Sequence, residues 1–161
     1  MANPTKPNLI KASEIRAGEV QFSHPWNPSS QLHGMRLGPL TGLERTGVNL
    51  GRIPPGKESF VYHLHHQEEE WLYIIAGKGI AEIDGAEYEV GPGDFMGFPT
   101  PSVAHHLRNP FTEDLLYLAG GEHRDMDVAD FPKLGKRMFR FADKVEIHNL
   151  SDAKPFGPLK S

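Results

Sequence analysis

The chain has 161 residues, a formal net charge of −4 at pH 7 and no cysteine. This length predicts a single domain that is large enough to bury a substantial core. The absence of cysteine excludes disulfides, thiolate metal ligands, zinc fingers and cysteine nucleophiles. A negative net charge without a basic cluster argues against nucleic acid as a partner.

Targeting and membrane signals are not seen in the sequence. No charged stretch precedes an apolar run at the N-terminus, and no apolar segment approaches the roughly 18 residues of a membrane-spanning helix. The expectation is a cytoplasmic protein that has no membrane partner.

In chain order, residues 1–30 are polar and interrupted by prolines, which predicts an N-terminal arm. From residue 31 to residue 120, turn signals recur at strand-length intervals, and the total of 17 Gly and 14 Pro suits short strands better than helices. Asp84-Gly85 is the strongest hairpin signal in the chain. The predicted strands that alternate or are rich in β-branched and aromatic residues are 61–65, 71–75, 80–83 and 115–118. The pattern therefore predicts an all-β fold.

The strand pattern stops after Gly120-Gly121, so residues 121–161 are predicted to be a C-terminal extension. Residues 136–141 fit either an added strand or a loop that crosses the mouth of the β structure. The last ten residues, which contain Pro155, Gly157 and Pro158, are expected to form a loose end.

Four residues form a candidate set of metal ligands. His63 and His65 are two positions apart, so on a strand both imidazoles project from the same face. Glu70 can begin the next strand and point into the same space, and His105 completes the set from a third strand. Three imidazoles and one carboxylate suit one divalent transition ion per chain, Mn, Fe, Zn or Ni, and leave coordination positions free for water or substrate.

Simpler interpretations exist for this histidine-rich and acidic region. An isolated His-x-His pair is more often a pair of surface or pocket histidines than a metal site. Glu68 and Glu69 are typical of a solvated turn. Strand alternation directs His66 and His106 to the face opposite the proposed ligands, so both are interpreted as non-ligands.

The candidate ligands resemble the two sequence motifs of the cupin superfamily. The first motif runs glycine, five residues, His-x-His, three or four residues, glutamate, six residues and glycine. His63, His65, Glu70 and Gly77 fall in step with it, and Gly56 lies one residue too far upstream.

The second cupin motif runs glycine, five residues, Pro-x-Gly, two residues, histidine, three residues and asparagine. Gly93, Pro99, His105 and Asn109 match its frame. Pro101 stands where the second glycine is expected, and one extra residue precedes His105, so the corner before this strand is expected to differ from the family pattern.

The resemblance implies a double-stranded β-helix, which is the jelly-roll barrel of cupins. Because the His-x-His motif occurs once, the barrel is assigned to a single cupin domain over residues 31–120, between the arm over residues 1–30 and the extension over residues 121–161.

Strand alternation turns Val61, Leu72 and Ile74 inward and Trp71 and Tyr73 outward. Large aromatic residues on the outer face of a barrel are more often covered by other protein segments than exposed to solvent, and cupin barrels commonly form dimers. The prediction is a homodimer in which the arm packs across a two-fold interface. The alternative is an arm that folds back on its own barrel.

Three functions are compatible with such a site, and all of them involve a small-molecule ligand or substrate. Small single-domain cupins similar to this chain are often described as sugar-phosphate isomerase-like, which implies an isomerase or epimerase that uses the ion as a Lewis acid. A phosphate would need inward-facing cations, and Arg52, Lys57 and Arg108 have no assured direction. The alternatives are an Fe(II)-dependent dioxygenase and a non-catalytic metal or small-ligand binding protein.

Overall fold

The computed structural model describes residues 6–154 and Gly157. The first five residues of the predicted arm and residues 155–156 and 158–161 of the predicted extension lie outside this description. Most of the expected loose end at the C-terminus therefore falls outside the described residues.

The described residues form a nearly all-β structure with two short α-helices and two 3₁₀ turns. The strands are β1 (Val20–Phe22), β2 (Leu32–Arg36), β3 (Thr46–Ile53), β4 (Lys57–Glu58), β5 (Leu64–His65), β6 (Glu70–Ala76), β7 (Gly79–Ile83), β8 (Ala86–Val90), β9 (Phe95–Phe98), β10 (His105–Asn109), β11 (Leu115–Glu122), β12 (Met126–Phe131), β13 (Lys136–Phe141) and β14 (Lys144–Asn149). The helices are α1 (Ala12–Ala17) and α2 (Leu37–Thr41), and the 3₁₀ turns cover Pro132–Leu134 and Leu150–Asp152.

The strands form three sheets, and all ladders between them are antiparallel. The largest has six strands in the order β1-β2-β3-β11-β6-β9. A second sheet has the order β4-β10-β7-β8, and a third has the order β14-β13-β12-β5. The third sheet joins the predicted extension to β5, which carries one of the candidate metal ligands.

The apolar core draws on the first two sheets. Its buried members are Leu32, Ile53, Leu72, Ile74, Ala81, Val90, Met96, Phe98, Leu107, Leu115 and Tyr117. Leu72, Ile74 and Val61 are buried, as the alternation predicted, whereas Tyr73 is exposed. Removal of these apolar side chains from water is the main stabilising contribution to the barrel.

The hairpin predicted at Asp84-Gly85 is confirmed. It joins β7 to β8, with Ile83 opposite Ala86. Asp84 has φ of 50° and Gly85 has φ of 78°, so both central residues adopt the left-handed conformation of the two-residue turns that suit twisted hairpins.

The predicted strand over residues 61–65 is wrong in part. Only Leu64–His65 is a strand, and it pairs with β12, where His65 lies opposite Ala129. His63 instead forms an isolated bridge with His105, with backbone N to O distances of 3.2 and 2.8 Å. The chain changes partners between His63 and Leu64, so no continuous ladder can include both.

The described part of the arm packs on its own barrel. β1 pairs with β2, and the carboxylate of Glu19 lies 2.6 Å from the guanidinium of Arg52. Asn27 Nδ2 donates to Glu58 Oε2 at 2.9 Å. This is the second of the two arrangements considered for the arm.

In the extension, residues 136–141 form β13, so the added strand is the correct alternative for this segment. The boundaries at residues 30 and 120 stay a prediction, because β1 joins the large sheet from the arm and β5 joins the extension from the barrel.

None of the described helices has the length and apolar character that crossing a membrane requires.

Candidate metal centre

The structure brings His63, His65, Glu70 and His105 together where the three sheets meet. Glu70 begins β6 in the large sheet, His105 begins β10 in the second sheet, and His65 ends β5 in the third. His105 Nε2 lies 3.0 Å from Glu70 Oε2. The Nε2 atoms of His63 and His65 each lie 3.7 Å from the same carboxylate oxygen.

Hydrogen bonds on the far side of each imidazole determine how the three rings face this carboxylate. Each Nδ1 lies within hydrogen-bond distance of an acceptor that carries no proton. The pairs are His63 Nδ1 with Val61 O at 2.7 Å, His105 Nδ1 with Val103 O at 3.3 Å and His65 Nδ1 with Asp127 Oδ2 at 2.6 Å. Each Nδ1 therefore carries the proton, and a neutral ring turns its Nε2 lone pair toward Glu70.

This donor set fits a transition ion. Three Nε2 lone pairs and a carboxylate have no donor among them when the imidazoles are neutral, so a cation at their centre would satisfy all four groups. Bonds of about 2.0–2.2 Å to one ion place neighbouring ligand atoms about 3.0–3.5 Å apart. The distances from Glu70 Oε2 to the three Nε2 atoms, 3.0 Å for His105 and 3.7 Å for His63 and His65, are close to this range. The ligand atoms of His63, Glu70 and His105 all lie within 4.8 Å of one another, and His65 joins them through its contact with Glu70.

The charges at this site follow from burial and hydrogen bonding. Burial opposes ionisation of Glu70, but in the metal-free protein the imidazoles of His105 and His63 can donate to it when Nε2 also carries a proton, and this holds its pKa far below the ordinary value, so Glu70 is a carboxylate. Burial also opposes protonation of His65, but its hydrogen bond to Asp127 raises its pKa above the ordinary value.

The two acidic residues that precede Glu70 differ from each other in environment. The expectation of a solvated turn is wrong for Glu68, which is 6% exposed and accepts hydrogen bonds from Arg140 and from the backbone N–H of Arg124. Its partners follow it by more than fifty residues, so no local pattern could reveal the contact. Glu69, in contrast, is exposed as predicted.

His66 and His106 lie outside the ligand cluster. His66 Nε2 is 3.0 Å from Asp130 Oδ2, and His106 Nε2 is 3.7 Å from Glu58 Oε2. Both rings are therefore directed toward other carboxylates, which is consistent with their interpretation as non-ligands.

A cavity of about 420 Å³ opens onto the cluster and is lined by His63, His65 and Glu70. This volume is typical of small-molecule sites. Phe60 and Phe131 supply apolar wall on the side that carries the histidines.

The three cations named from the sequence do not line this cavity. Arg52 pairs with Glu19 and Asp114, and Arg108 pairs with Glu87. The cavity is lined instead by Arg36 and Arg140, and no motif distinguishes either residue.

His24 is a further cavity residue that sequence reasoning missed. Its Nδ1 accepts a hydrogen bond from the backbone N–H of Trp26 at 3.2 Å, so in the neutral ring Nε2 carries the proton. Burial lowers the pKa of His24, which keeps the ring neutral near pH 7. His24 lies in a proline-interrupted segment without a motif, so nothing in the sequence distinguishes it.

Comparisons with known proteins agree with this architecture. Residues 49–120 match the family described as Cupin domain. A crystal structure from Acidithiobacillus ferrooxidans, provisionally described as a sugar phosphate isomerase, is 37% identical, with a TM-score of 0.88 over 93% of this chain and 97% of that one. The chain therefore belongs to the cupin superfamily.

Two more distant relatives extend the comparison. A cupin from Silicibacter pomeroyi, described as a sugar phosphate isomerase, shares the fold at 22% identity, with a TM-score of 0.76 over 91% of this chain and 95% of that one. An uncharacterized protein of Methanocaldococcus jannaschii is 33% identical over 57 residues, which are 35% of this chain and 44% of that protein. The chain thus spans less than half the length of this curated relative.

Proposed function

We propose that this cupin is an enzyme that holds one divalent transition ion through His63, His65, Glu70 and His105. The observation that carries the proposal is the convergence of three Nε2 atoms on Glu70 Oε2, at 3.0–3.7 Å, beside an accessible cavity. A bound ion would supply a Lewis acid that polarises a substrate carbonyl.

The reaction that suits these residues best is isomerisation or epimerisation of a sugar. His24 offers an N–H group at the cavity, which can donate to a substrate oxygen and help to orient the carbonyl. Glu69 also lines the cavity, and its carboxylate has no side-chain partner within the described residues, so it can accept a proton. Together they supply the donor and the base that proton transfer beside a carbonyl requires.

The charge on the cavity wall favours an uncharged sugar over a sugar phosphate. The wall includes two arginines, Arg36 and Arg140, and Arg140 is bound to Glu68. Its carboxylates are Glu44, Glu68, Glu69, Glu70 and Glu122. A phosphate dianion would meet more carboxylates than free cations here, because Arg36 is the one arginine of the wall without an ion pair among the described residues. A neutral polyhydroxy carbonyl compound avoids this repulsion.

A homodimer is part of the same proposal. Trp71, Tyr73, Phe95 and Leu118 form an apolar outer patch on the large sheet, where Phe95 is 65% and Tyr73 41% exposed. A second copy of the chain would cover this patch, as dimers with two-fold symmetry do.

The proposal is tested on untagged protein. Elemental analysis is expected to find about one transition ion per chain, and the loaded protein is expected to exchange the proton beside the carbonyl of an aldose or ketose with D₂O, as read by NMR. His65→Ala should abolish the exchange. Ligand-dependent uptake of dioxygen without exchange would instead favour the dioxygenase. Ligand binding with neither reaction would favour a binding protein.

A further inference from the structure

We propose that Asp127, in the C-terminal extension, is a positioning residue that holds His65 in its metal-binding orientation. The inference rests on the proposed metal site and extends that site beyond the cupin domain, because residue 127 follows the matched segment 49–120.

The contact between Asp127 and His65 is short and buried. Asp127 is 0% exposed, and His65 Nδ1–H donates to its Oδ2 at 2.6 Å. The other carboxylate oxygen accepts from the backbone N–H of Gln67 at 3.3 Å. Both oxygens therefore bind the segment that carries the candidate ligand, which restricts the carboxylate to one orientation.

A buried carboxylate is costly unless charged or hydrogen-bonded partners compensate for its loss of water. Placed behind a metal-binding imidazole, it fixes the ring tautomer and increases the basicity of the opposite nitrogen. Among the three histidines, His65 alone has a charged acceptor at Nδ1, since His63 and His105 donate to backbone carbonyls.

The position of Asp127 depends on how the extension docks. β12 meets β5 through two residue pairs, Ala129 with His65 and Asp130 with Leu64. The guanidinium of Arg140, on β13, binds the buried carboxylate of Glu68 close by. Docking of the extension and the shape of the metal site are thereby linked.

The same carboxylate could also be considered a ligand of a second ion. His65, Glu68 and Asp127 have ligand atoms within 4.8 Å of one another. Proton donors already occupy both oxygens of Asp127, which bind His65 and the Gln67 N–H, and Arg140 binds Oε1 of Glu68. Because neither oxygen of Asp127 is left for an ion, we infer a positioning role for this residue.

The chain contains a matched control. His66 Nε2 lies 3.0 Å from Asp130 Oδ2, so a second histidine–aspartate contact joins the same two segments of chain. His66 is outside the ligand cluster, and Asp130 is bound to Arg137. Asp130→Asn thus disturbs the docking of the extension without touching a proposed ligand.

The experiment measures Co²⁺ and Zn²⁺ affinity by chelator competition in the full-length protein. Asp127→Asn is expected to weaken binding about 10–100-fold, which is typical for loss of a carboxylate behind a metal-bound histidine. Asp130→Asn should bind as the wild type does, even if both variants lower the melting temperature of the metal-free protein. Asp127→Glu should recover part of the affinity.

The outcomes separate the two proposals. If the wild type binds no ion, the proposed function fails. If it binds one ion and Asp127→Asn binds equally well, only the role of Asp127 fails, and a wild-type stoichiometry of two ions would overturn that role as well. Should Asp127→Asn not fold, ¹⁵N-histidine NMR of the wild type decides: His65 must keep its proton on Nδ1 while Nε2 responds to Zn²⁺, and metal at Nδ1 would contradict the proposal.

Discussion

The imidazole of His105 lies flat against the phenyl ring of Phe98, with ring centroids 3.6 Å apart and planes 8° apart. Phe98 ends β9 and lies directly opposite Glu70 on β6. The strand beside one proposed ligand thus supplies the surface that orients another. The departure from the family pattern at Pro101 therefore leaves His105 directed at the cluster.

Replacement of Phe98 should affect both stability and metal binding. Phe98→Leu keeps an apolar side chain but removes the flat surface and leaves space in a buried site, so we expect a loss of about 1–2 kcal/mol in the free energy of unfolding. Metal affinity should fall because the His105 ring gains freedom. Urea unfolding and chelator competition measure the two effects. Met96→Leu, in the same strand, is the control and should retain wild-type affinity.

His65→Ala should remove the metal and leave the fold. The imidazole contributes to the ion site, whereas the core of the barrel lies between apolar side chains of the other two sheets. Elemental analysis should find the variant depleted of metal, and circular dichroism should retain the β spectrum. His66→Ala should keep its metal. Full metal content in a variant that lacks both His63 and His65 would be incompatible with the proposed ligand set.

Metal affinity should fall in acid. Imidazole binds metal only in its neutral form, and the hydrogen bond to Asp127 raises the pKa of His65 above the ordinary value of about 6.5, so protons compete with the ion for this ligand as the pH falls. The dissociation constant for Zn²⁺ measured between about pH 8 and about pH 5 should therefore rise steeply toward the acid end. Equal affinity across this interval would indicate a site built from carboxylates.

His24 should make the metal-free protein less stable in acid. Burial lowers the folded-state pKa of His24, whereas the unfolded chain takes up this proton at about 6.5. Its contribution to stability is thus complete above about pH 6.5 and is lost as pH falls toward the folded-state pKa. In urea titrations at several pH values, His24→Gln should lose less stability on acidification than the wild type. Parallel curves for the two proteins would refute this assignment.

The outer patch on the large sheet should mediate dimerisation. Phe95→Asp places a charge where a second copy is proposed to pack, so light scattering should report a monomer for this variant and a dimer for the wild type. Tyr88→Asp is the control, since Tyr88 is exposed on β8 in the second sheet, away from the patch. If the Phe95→Asp variant is still a dimer, the interface must lie elsewhere.

Local sequence signals were sufficient for much of the barrel. The Asp84-Gly85 turn was predictable from its residue types. A two-residue hairpin turn requires the left-handed conformation at both central positions, and Asp-Gly is one of the few residue pairs that adopt it readily. β6 was predictable because apolar and β-branched residues follow Glu70, and its start at Glu70 is what directs this carboxylate to the cluster.

Contacts between distant segments could not be predicted in this way. Asp127 and His65 are 62 positions apart, and Arg140 and Glu68 are 72 apart, so neither pair leaves a periodic trace in the sequence. The change of partner between His63 and Leu64 was missed for the same reason, because it depends on β12, whose position only the folded chain defines. Strand alternation correctly predicted which side chains of β6 face the core and which face outward. It could not predict which strands pair, because tertiary structure decides the pairing.

Three of the proposed ligands, His65, Glu70 and His105, lie in three different sheets, so a bound ion would couple the local opening of these sheets. In a metal-free chain each sheet could exchange its amide hydrogens through its own local opening. An ion held by β5, β6 and β10 would act as a cross-link, because opening any one sheet would cost a metal–ligand bond. Amide exchange should then slow together in all three sheets when metal is added, including in β13 and β14, which lie far from any ligand along the chain.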